Sequence, residues 1–214
     1  MNRVLVVTAV EAEREALFRG LNKAKGFEVL VTGVGPAAAA AFTARALAAG
    51  EFSCVVSAGI GGGFSGKAGV GTIVVATQIV AADLGAETPE GFLSLDELGF
   101  GSNRITTDDR LVKQVSEALL VAELPVITGP VLTVNTVTGT AASAAEMAAR
   151  VPGAAAEAME GYGAAFAAQA AGTPIMEIRA ISNLVGPRDR SAWRIREALD
   201  VLAAAGSILS EVLR

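Results

Sequence analysis

Short apolar runs alternate along the chain with longer segments that have helical periodicity. The apolar runs are rich in Val and Ile, which favours strands. They are continuous rather than alternating, which is typical of strands that helices cover on both faces. The pattern predicts six buried strands, at residues 3–10, 27–32, 52–58, 73–80, 126–134 and 175–181.

Between the strands, Ala-rich composition or helical spacing predicts helices. In one of them Leu111, Val115 and Leu119 recur every four residues. The stretch 81–109 instead carries Pro, Gly and acidic residues, so we expect a loop with one short helix that acts as a lid or contacts a partner. The predicted helices are residues 11–17, 36–49, 108–122, 141–150, 155–171 and 199–213.

Strands that alternate with helices, without a linker or a repeat, predict one α/β domain over residues 1–214 with a mostly parallel or mixed sheet. A hydrophobic content of 52% with 18% charged residues excludes a disordered chain. The net charge of -5 and the lack of a basic patch argue against nucleic acid as a partner. Charged residues, Pro and Gly interrupt the apolar stretches, so we expect neither a secretory signal nor a membrane span.

The chain has no histidine and one cysteine, Cys54. No intrachain disulfide can form, which favours a cytoplasmic protein, and the apolar run around Cys54 indicates a buried structural thiol. Ser-His-Asp triads and the commonest zinc sites are excluded because both need histidine. Chemistry must therefore use carboxylates, Arg, Asn, hydroxyl groups and backbone amides.

Three polar side chains occur where the surrounding sequence predicts burial. Glu13 follows the first strand, Glu160 lies among Ala, Met and Gly, and Asn183 follows the apolar run that ends at Ile181. Buried charges need partners, and Arg179 is a candidate. Two interpretations stay open, an ion pair that holds the fold together and a functional site.

Two glycine-rich segments follow predicted strands. Residues 33–36, GVGP, resemble the start of a dinucleotide fingerprint, with Glu51 near the position of its ribose-binding acid. Glu51 precedes the next strand instead of ending it, and Pro36 fixes the backbone of the phosphate turn, so a non-catalytic dinucleotide module is the weaker alternative. Residues 59–63, GIGGG, are expected to form a tight loop that walls a small-molecule pocket.

Five segments carry a resemblance that spans nearly the whole chain. They are AVEAE at 9–13, GIGGG at 59–63, VGTIVV at 70–75, AMEG at 158–161 and RAISN at 179–183. In this order they resemble bacterial nucleosidases that cleave methylthioadenosine and adenosylhomocysteine, in the superfamily of the purine nucleoside phosphorylases. The resemblance implies an α/β fold, a single-domain three-layer sandwich with a central mixed β-sheet flanked by helices. It also implies a nucleoside substrate, no metal or organic cofactor, and a homo-oligomer, dimer or larger.

The same resemblance implies a role for each matched residue. Glu13 would hold and deprotonate the attacking water, and Arg179 would help to hold that water. Glu160 would accept hydrogen bonds from the ribose hydroxyls, Met159 would pack against the sugar, and Asn183 would contact the leaving purine. The remaining substrate-binding residues are expected to be Gly62, Val137, Thr138 and Arg188.

Two positions depart from those nucleosidases. Ile60 replaces a Ser that touches the water, and Asn183 replaces an Asp that serves adenine. An Asn amide donates two N–H groups and cannot ionise, so it complements N7 and O6 of a 6-oxopurine, both of which an ionised Asp would repel. Glu11 and Glu13 lie where the phosphorylases bind phosphate, which favours water as the nucleophile.

With water as the nucleophile and a 6-oxopurine as the base, the chain resembles the futalosine hydrolases of menaquinone biosynthesis. Residues 186–193, GPRDRSAW, are similar to the segment that follows I-S-N in that family. This resemblance implies cleavage of futalosine to hypoxanthine and dehypoxanthine futalosine, with Arg188, Arg190 or Arg104 on the carboxylate at the far end of the substrate. A methylthioadenosine-type nucleosidase and a 6-oxopurine phosphorylase stay open as alternatives.

Overall fold

The structure is a computed structural model that describes residues 3–213. Its strands are β1 (Val4–Thr8), β2 (Phe27–Val31), β3 (Cys54–Gly63), β4 (Ile73–Ala81), β5 (Gly85–Thr88), β6 (Gly91–Ser94), β7 (Arg104–Thr106), β8 (Val126–Thr133), β9 (Ala156–Ala158) and β10 (Ile175–Leu184). Its helices are α1 (Glu11–Leu21), α2 (Pro36–Ala49), α3 (Leu95–Leu98), α4 (Asp109–Val121), α5 (Ala141–Arg150), α6 (Gly161–Ala170) and α7 (Ile195–Val212), with a short 3-10 turn at Arg190–Ala192.

Eight strands form one mixed sheet. Their order is β10-β4-β8-β9-β3-β1-β2, with β7 paired to β4. Because β10 also pairs with β3, five of the strands close into a circuit. The pairs of β1 with β2 and β3, and of β3 with β10, are parallel, so the carboxyl ends of these strands lie at one edge. Polar residues that follow these strands are thereby brought together.

Helices cover both faces of this sheet. On one face α1 and α4 pack with α7, and on the other α2 packs with α6. Successive residues of β1 serve the two cores in turn: Val4 and Val6 face α1 and α7, whereas Leu5 and Val7 face the α6 side. This double coverage explains the continuous apolar runs. It confirms the predicted three-layer α/β sandwich with a central mixed sheet.

The glycine-rich segment Gly59–Gly63 was expected to be a loop, and that prediction is wrong. The residues continue β3, which pairs with β10 on one side and with β9 on the other. A Cβ on Gly61 would lie 2.8 Å from the carbonyl oxygen of Glu157 in β9. The glycines therefore allow neighbouring backbones to approach closely within the sheet.

The prediction of one helix over 155–171 is wrong at its start. Residues Ala156–Ala158 form β9, and the helix begins only at Gly161. Ala has high helix propensity, but pairing of these residues with β3 and β8 outweighs it. Glu160 is consequently the residue just before α6 and not a residue within a helix.

The stretch 81–109 is more ordered than a loop with one short helix. It contains the hairpin β5–β6, the four-residue helix α3 and the edge strand β7. Short strands of this kind have too few apolar positions to show a period in the sequence. Within residues 3–213, no helix is long and apolar enough to cross a membrane.

Candidate active site

A cavity of about 330 Å³ lies where the carboxyl ends of β1, β3 and β10 meet β9. Most of the residues singled out in the sequence come together in its wall although they are far apart along the chain. Arg179 is buried behind the wall, and Arg188 lies outside the lining. The predicted residues that do line the cavity are Glu13, Gly62, Val137, Thr138, Met159, Glu160 and Asn183.

The carboxylate of Glu13, in the first turn of α1, is held by three backbone N–H groups. Its Oε2 accepts from Ala9 at 2.9 Å and from Val10 at 3.2 Å, and its Oε1 accepts from Ile60 at 2.9 Å. Burial raises the pKa of Glu13, and the charge of Arg179 and these hydrogen bonds only partly oppose the effect. Glu13 is therefore fixed in orientation and more basic than an ordinary carboxylate, as a general base requires.

Arg179 is 1% exposed and lies among the carboxylates of Glu177, Glu160 and Glu13. Its Nε donates to Glu177 Oε1 at 2.8 Å, its Nη1 is 3.5 Å from Glu160 Oε2, and its Nη2 donates to Ser57 Oγ at 3.0 Å. Desolvation lowers the pKa of Arg179, but the charges of Glu177, Glu160 and Glu13 outweigh it and leave the pKa raised. Both interpretations of Arg179 thus have a structural counterpart, an ion pair inside the fold and a contact with a pocket carboxylate.

Glu177 is fully buried beside Gly161 at the start of α6. Burial raises the pKa of Glu177, and its Oε2 has no hydrogen-bond partner among the described residues. A Cβ on Gly161 would overlap both carboxylate oxygens of Glu177. Glycine at this position is therefore required by the carboxylate that orients Arg179.

We expect Gly161→Ala to lower the free energy of unfolding by about 1 to 3 kcal/mol, because the new methyl group must displace a buried carboxylate. Urea denaturation measures the change. Gly69→Ala is the matched control, since a Cβ there meets open space. Equal free energies of unfolding for the two variants would contradict the close contact between Gly161 and the Glu177 carboxylate.

Asn183 lies near the end of β10, and its amide is oriented by its neighbours. Its Oδ1 accepts from Ser182 Oγ at 2.8 Å, and its Nδ2 donates to the Leu184 carbonyl oxygen at 3.0 Å. Because the oxygen is engaged by Ser182, the NH₂ end is the part of the amide that offers a further hydrogen bond, through its second N–H. Asn183 is thus a neutral donor at the cavity.

The turn that resembles a dinucleotide fingerprint belongs to the same pocket. Gly33 and Gly35 have φ angles of 89° and 94°, in the region that favours glycine. The N–H of Gly35 donates to Glu160 Oε1 at 3.2 Å, and Val34 lines the cavity. The backbone donor of this turn is therefore directed to a carboxylate of the pocket.

The candidate arginines for the far end of the substrate lie outside the cavity wall. The guanidinium groups of Arg188 and Arg190 lie 5.0 Å and 6.0 Å from the ring centroid of Trp193. Trp193 itself lines the cavity, so these two cations stand near its rim. Arg104 lines a different groove, together with Phe100.

Sequence reasoning missed several polar residues of the site. Glu177 was given no role, although the strand period places it on the same face as Arg179, two positions away. Glu157 carried a weaker signal, a second acid in a segment of small residues. Nothing local marked Ser57, whose hydroxyl meets Arg179 only because β3 pairs with β10.

A buried carboxylate of raised pKa, a second carboxylate and a neutral amide thus surround one cavity. The first can deprotonate a water molecule, the second can accept hydrogen bonds from hydroxyl groups, and the amide can donate to an acceptor on a ring. This combination suits hydrolysis of a ligand that carries both a polyhydroxyl part and an aromatic base.

A sequence model of the Phosphorylase superfamily matches residues 8–214. The futalosine hydrolase of Streptomyces coelicolor is 50% identical to this chain, over 98% of the chain and 96% of that protein. The futalosine hydrolase of Acidothermus cellulolyticus is 46% identical, over 96% of the chain and 89% of that protein. The resemblance inferred from the sequence motifs is confirmed by these relatives.

Solved structures share the fold. The native futalosine hydrolase of Helicobacter pylori superposes with a TM-score of 0.86 at 17% identity, and each chain is covered to 98%. The methylthioadenosine/adenosylhomocysteine nucleosidase of Neisseria meningitidis, in complex with methylthio-immucillin-A, gives a TM-score of 0.83 at 21% identity, over 100% of this chain and 99% of the other.

Proposed function

The chain belongs to the futalosine hydrolase family of the phosphorylase superfamily, and from this membership and the pocket geometry we propose that it hydrolyses the N-glycosidic bond of futalosine. The products are hypoxanthine and dehypoxanthine futalosine, in menaquinone biosynthesis. The observation that supports this most is a neutral Asn183 donor in a cavity that also holds the buried carboxylates Glu13 and Glu160. Cytoplasmic residence stays a prediction.

In the proposed reaction, water attacks the anomeric carbon of the ribose. The water oxygen forms the new bond to carbon and its proton passes to Glu13, which its three backbone contacts hold in place. The bond from carbon to the purine nitrogen breaks, and its electron pair leaves with the purine. The purine anion takes up a proton from solvent to become hypoxanthine, and Glu13 returns its proton to solvent. Glu160 accepts hydrogen bonds from the ribose hydroxyls and Met159 packs against the sugar, so that the reacting atoms are held in register.

Asn183 stabilises the purine as it leaves. The electron pair from the broken bond makes N7 and O6 of hypoxanthine more negative, and an amide N–H that points there strengthens its hydrogen bond as the charge develops. An amide does not transfer a proton at neutral pH, so its contribution is a hydrogen bond alone. The free N–H of Asn183 suits a 6-oxopurine where it reaches O6, because adenine carries a donor 6-amino group at that place, whereas N7 is an acceptor in both purines.

We expect water, and not phosphate, to be the nucleophile. The carboxylates of Glu13 and Glu160 face the cavity, and negative charge there would repel a phosphate dianion. Arg179 could offset that charge, but its guanidinium is committed to Glu177, Glu160 and Ser57 behind the wall. A direct contact of Arg179 with the attacking water stays a prediction.

At the far end of the substrate, we propose that Trp193 packs against the benzoate-type ring of futalosine and that Arg188 binds the carboxylate of this ring. Trp193 lines the cavity, and the guanidinium of Arg188 lies 5.0 Å from its ring centroid. Arg190 is the neighbouring alternative, at 6.0 Å. Val137, Thr138 and Gly62 are expected to contact the nucleoside from the other sides.

Release of free base from a small set of nucleosides tests this function. Futalosine, inosine and methylthioadenosine are incubated with the protein, and hypoxanthine or adenine is measured by chromatography. We expect futalosine to be cleaved fastest and inosine more slowly, since inosine lacks the carboxylate that Arg188 would bind. Faster cleavage of methylthioadenosine than of futalosine would contradict the proposal.

We also propose that the protein is a homo-oligomer, assembled through a groove between α2, α6 and the stretch 81–109. Apolar side chains line this groove, and among them Phe100 is 78% exposed and Phe166 is 55% exposed. An exposed apolar groove of this kind is typical of a surface that another protein covers.

Phe100→Asp is expected to shift the protein to a smaller species, because it places a charge within the apolar interface. Size-exclusion chromatography with light scattering measures the mass. Val121→Asp is the control, since Val121 is 85% exposed on α4 and outside the groove. A wild-type protein that is monomeric would contradict the oligomer itself.

A further inference from the structure

A third carboxylate of the cavity wall has no part in the reaction described above. Glu157 lies in β9, is 4% exposed and lines the same cavity as Asn183. Its Oε1 accepts from the backbone N–H of Thr138 at 2.8 Å, and its Oε2 accepts from the hydroxyl of Thr138. Both partners are neutral, and none of the ion pairs formed within residues 3–213 includes Glu157.

A buried carboxylate without a cation is costly. Desolvation raises the pKa of Glu157, and the two hydrogen bonds from Thr138 only partly oppose it. Each carboxylate oxygen has two acceptor positions, so each keeps one after its bond to Thr138. A ligand that donates an N–H into the cavity would offset the cost.

The register of the sheet places Glu157 and Asn183 on either side of a glycine, Gly62. Asn183 of β10 pairs with Gly62 of β3, and Gly62 pairs with Glu157 of β9. Paired residues of neighbouring strands direct their side chains to the same face. A Cβ on Gly62 would lie 3.3 Å from Asn183 Nδ2, which agrees with that geometry. The amide donor of Asn183 and the carboxylate acceptor of Glu157 therefore lie on either side of Gly62. Their Cα atoms are two strand spacings apart, about 10 Å.

Hypoxanthine presents the complementary edge. Its N7 and O6 are acceptors and its N1–H is a donor, whereas adenine has an acceptor at N1 and a donor at the 6-amino group. We propose that Glu157 is a second purine-recognition residue, which accepts a hydrogen bond from N1–H of the 6-oxopurine while Asn183 donates to the other side. This deepens the proposed function and rests on it. Thr138 is then a positioning residue, which holds the carboxylate in place.

The test compares futalosine with the same nucleoside that carries adenine in place of hypoxanthine. We expect Glu157→Gln to lower kcat/KM for futalosine by about 10- to 100-fold, the loss of one hydrogen bond to a charged group. The adenine nucleoside is expected to lose little or to gain, because a Gln amide can donate to its N1. Gln has the shape of Glu and can keep both contacts with Thr138, so the fold survives.

Two further variants separate recognition from support of the loop that carries Thr138. Glu157→Asp keeps the charge, and we expect it to keep the preference for futalosine at a lower rate. Glu211→Gln, on the exposed side of α7, is expected to match the wild type. Equal losses for both nucleosides in Glu157→Gln, or no change in either, would overturn the proposal. A wild-type protein that releases no hypoxanthine would instead overturn the proposed function, so the two failures are distinguishable.

Discussion

Glu13→Gln is expected to lower kcat for futalosine by about 10²- to 10⁴-fold, the range for loss of a general base. The amide cannot take a proton from water. Its oxygen can still accept hydrogen bonds from Ala9 and Val10, and only the bond from the Ile60 N–H loses its acceptor. The fold is therefore expected to survive, which circular dichroism and a melting curve would verify. Glu15→Gln is the matched control, since Glu15 is exposed on the same helix. This variant is expected to have the activity of the wild type.

The pH dependence of kcat gives this prediction a second measure. Burial raises the pKa of Glu13, and a base acts only when it is ionised. Activity of the wild type should therefore fall as the pH drops through that raised pKa, and remain at higher pH. The acid limb should be absent in Glu13→Gln. A variant that keeps wild-type turnover would remove Glu13 from the role of base.

Asn183→Ala is expected to lower kcat/KM for futalosine by about 10²- to 10³-fold, as for removal of a donor that stabilises developing negative charge. We expect this loss to come from recognition of the base, because Asn183 contacts the purine in the proposed complex whereas Glu13 contacts the water. Steady-state kinetics with hypoxanthine release as the readout measure it. Ser191→Ala, in the exposed turn after β10, is the control.

Asn183→Asp sharpens the same prediction. An ionised carboxylate would repel N7 and O6 of hypoxanthine, so we expect Asn183→Asp to cleave futalosine no longer at a measurable rate. Adenine has a donor at its 6-amino group, and the preference should shift toward methylthioadenosine. If Asn183→Asp cleaved futalosine as fast as the wild type, Asn183 would not recognise the base.

The sequence predicted the architecture well because the strands of this fold are buried on both faces. Continuous apolar runs located β1 and β10, whereas the run at 52–58 stops short of the end of β3 at Gly63. The assignment of Glu13, Glu160 and Asn183 to one site came from the family resemblance. Glu13 and Asn183 were singled out because each is a polar residue within a few positions of the end of such a run. The cavity wall brings both together.

What the sequence could not predict depends on which strands pair. The glycines at 59–63 are a strand only because β9 and β10 flank them, and β9 is a strand only because β3 and β8 do. The contact of Ser57 with Arg179 and the placement of Glu157 opposite Asn183 follow from the same register. The residues within a single strand do not show which strands it pairs with or in what register.

Release of hypoxanthine from futalosine in phosphate-free buffer distinguishes hydrolysis from phosphorolysis. We expect hypoxanthine to appear at the same rate with and without added phosphate, together with a free sugar product and no sugar phosphate. Mass spectrometry distinguishes the two products. Release that requires phosphate and yields a sugar phosphate would contradict hydrolysis, because the carboxylates of Glu13 and Glu160 would then have to admit a phosphate ion.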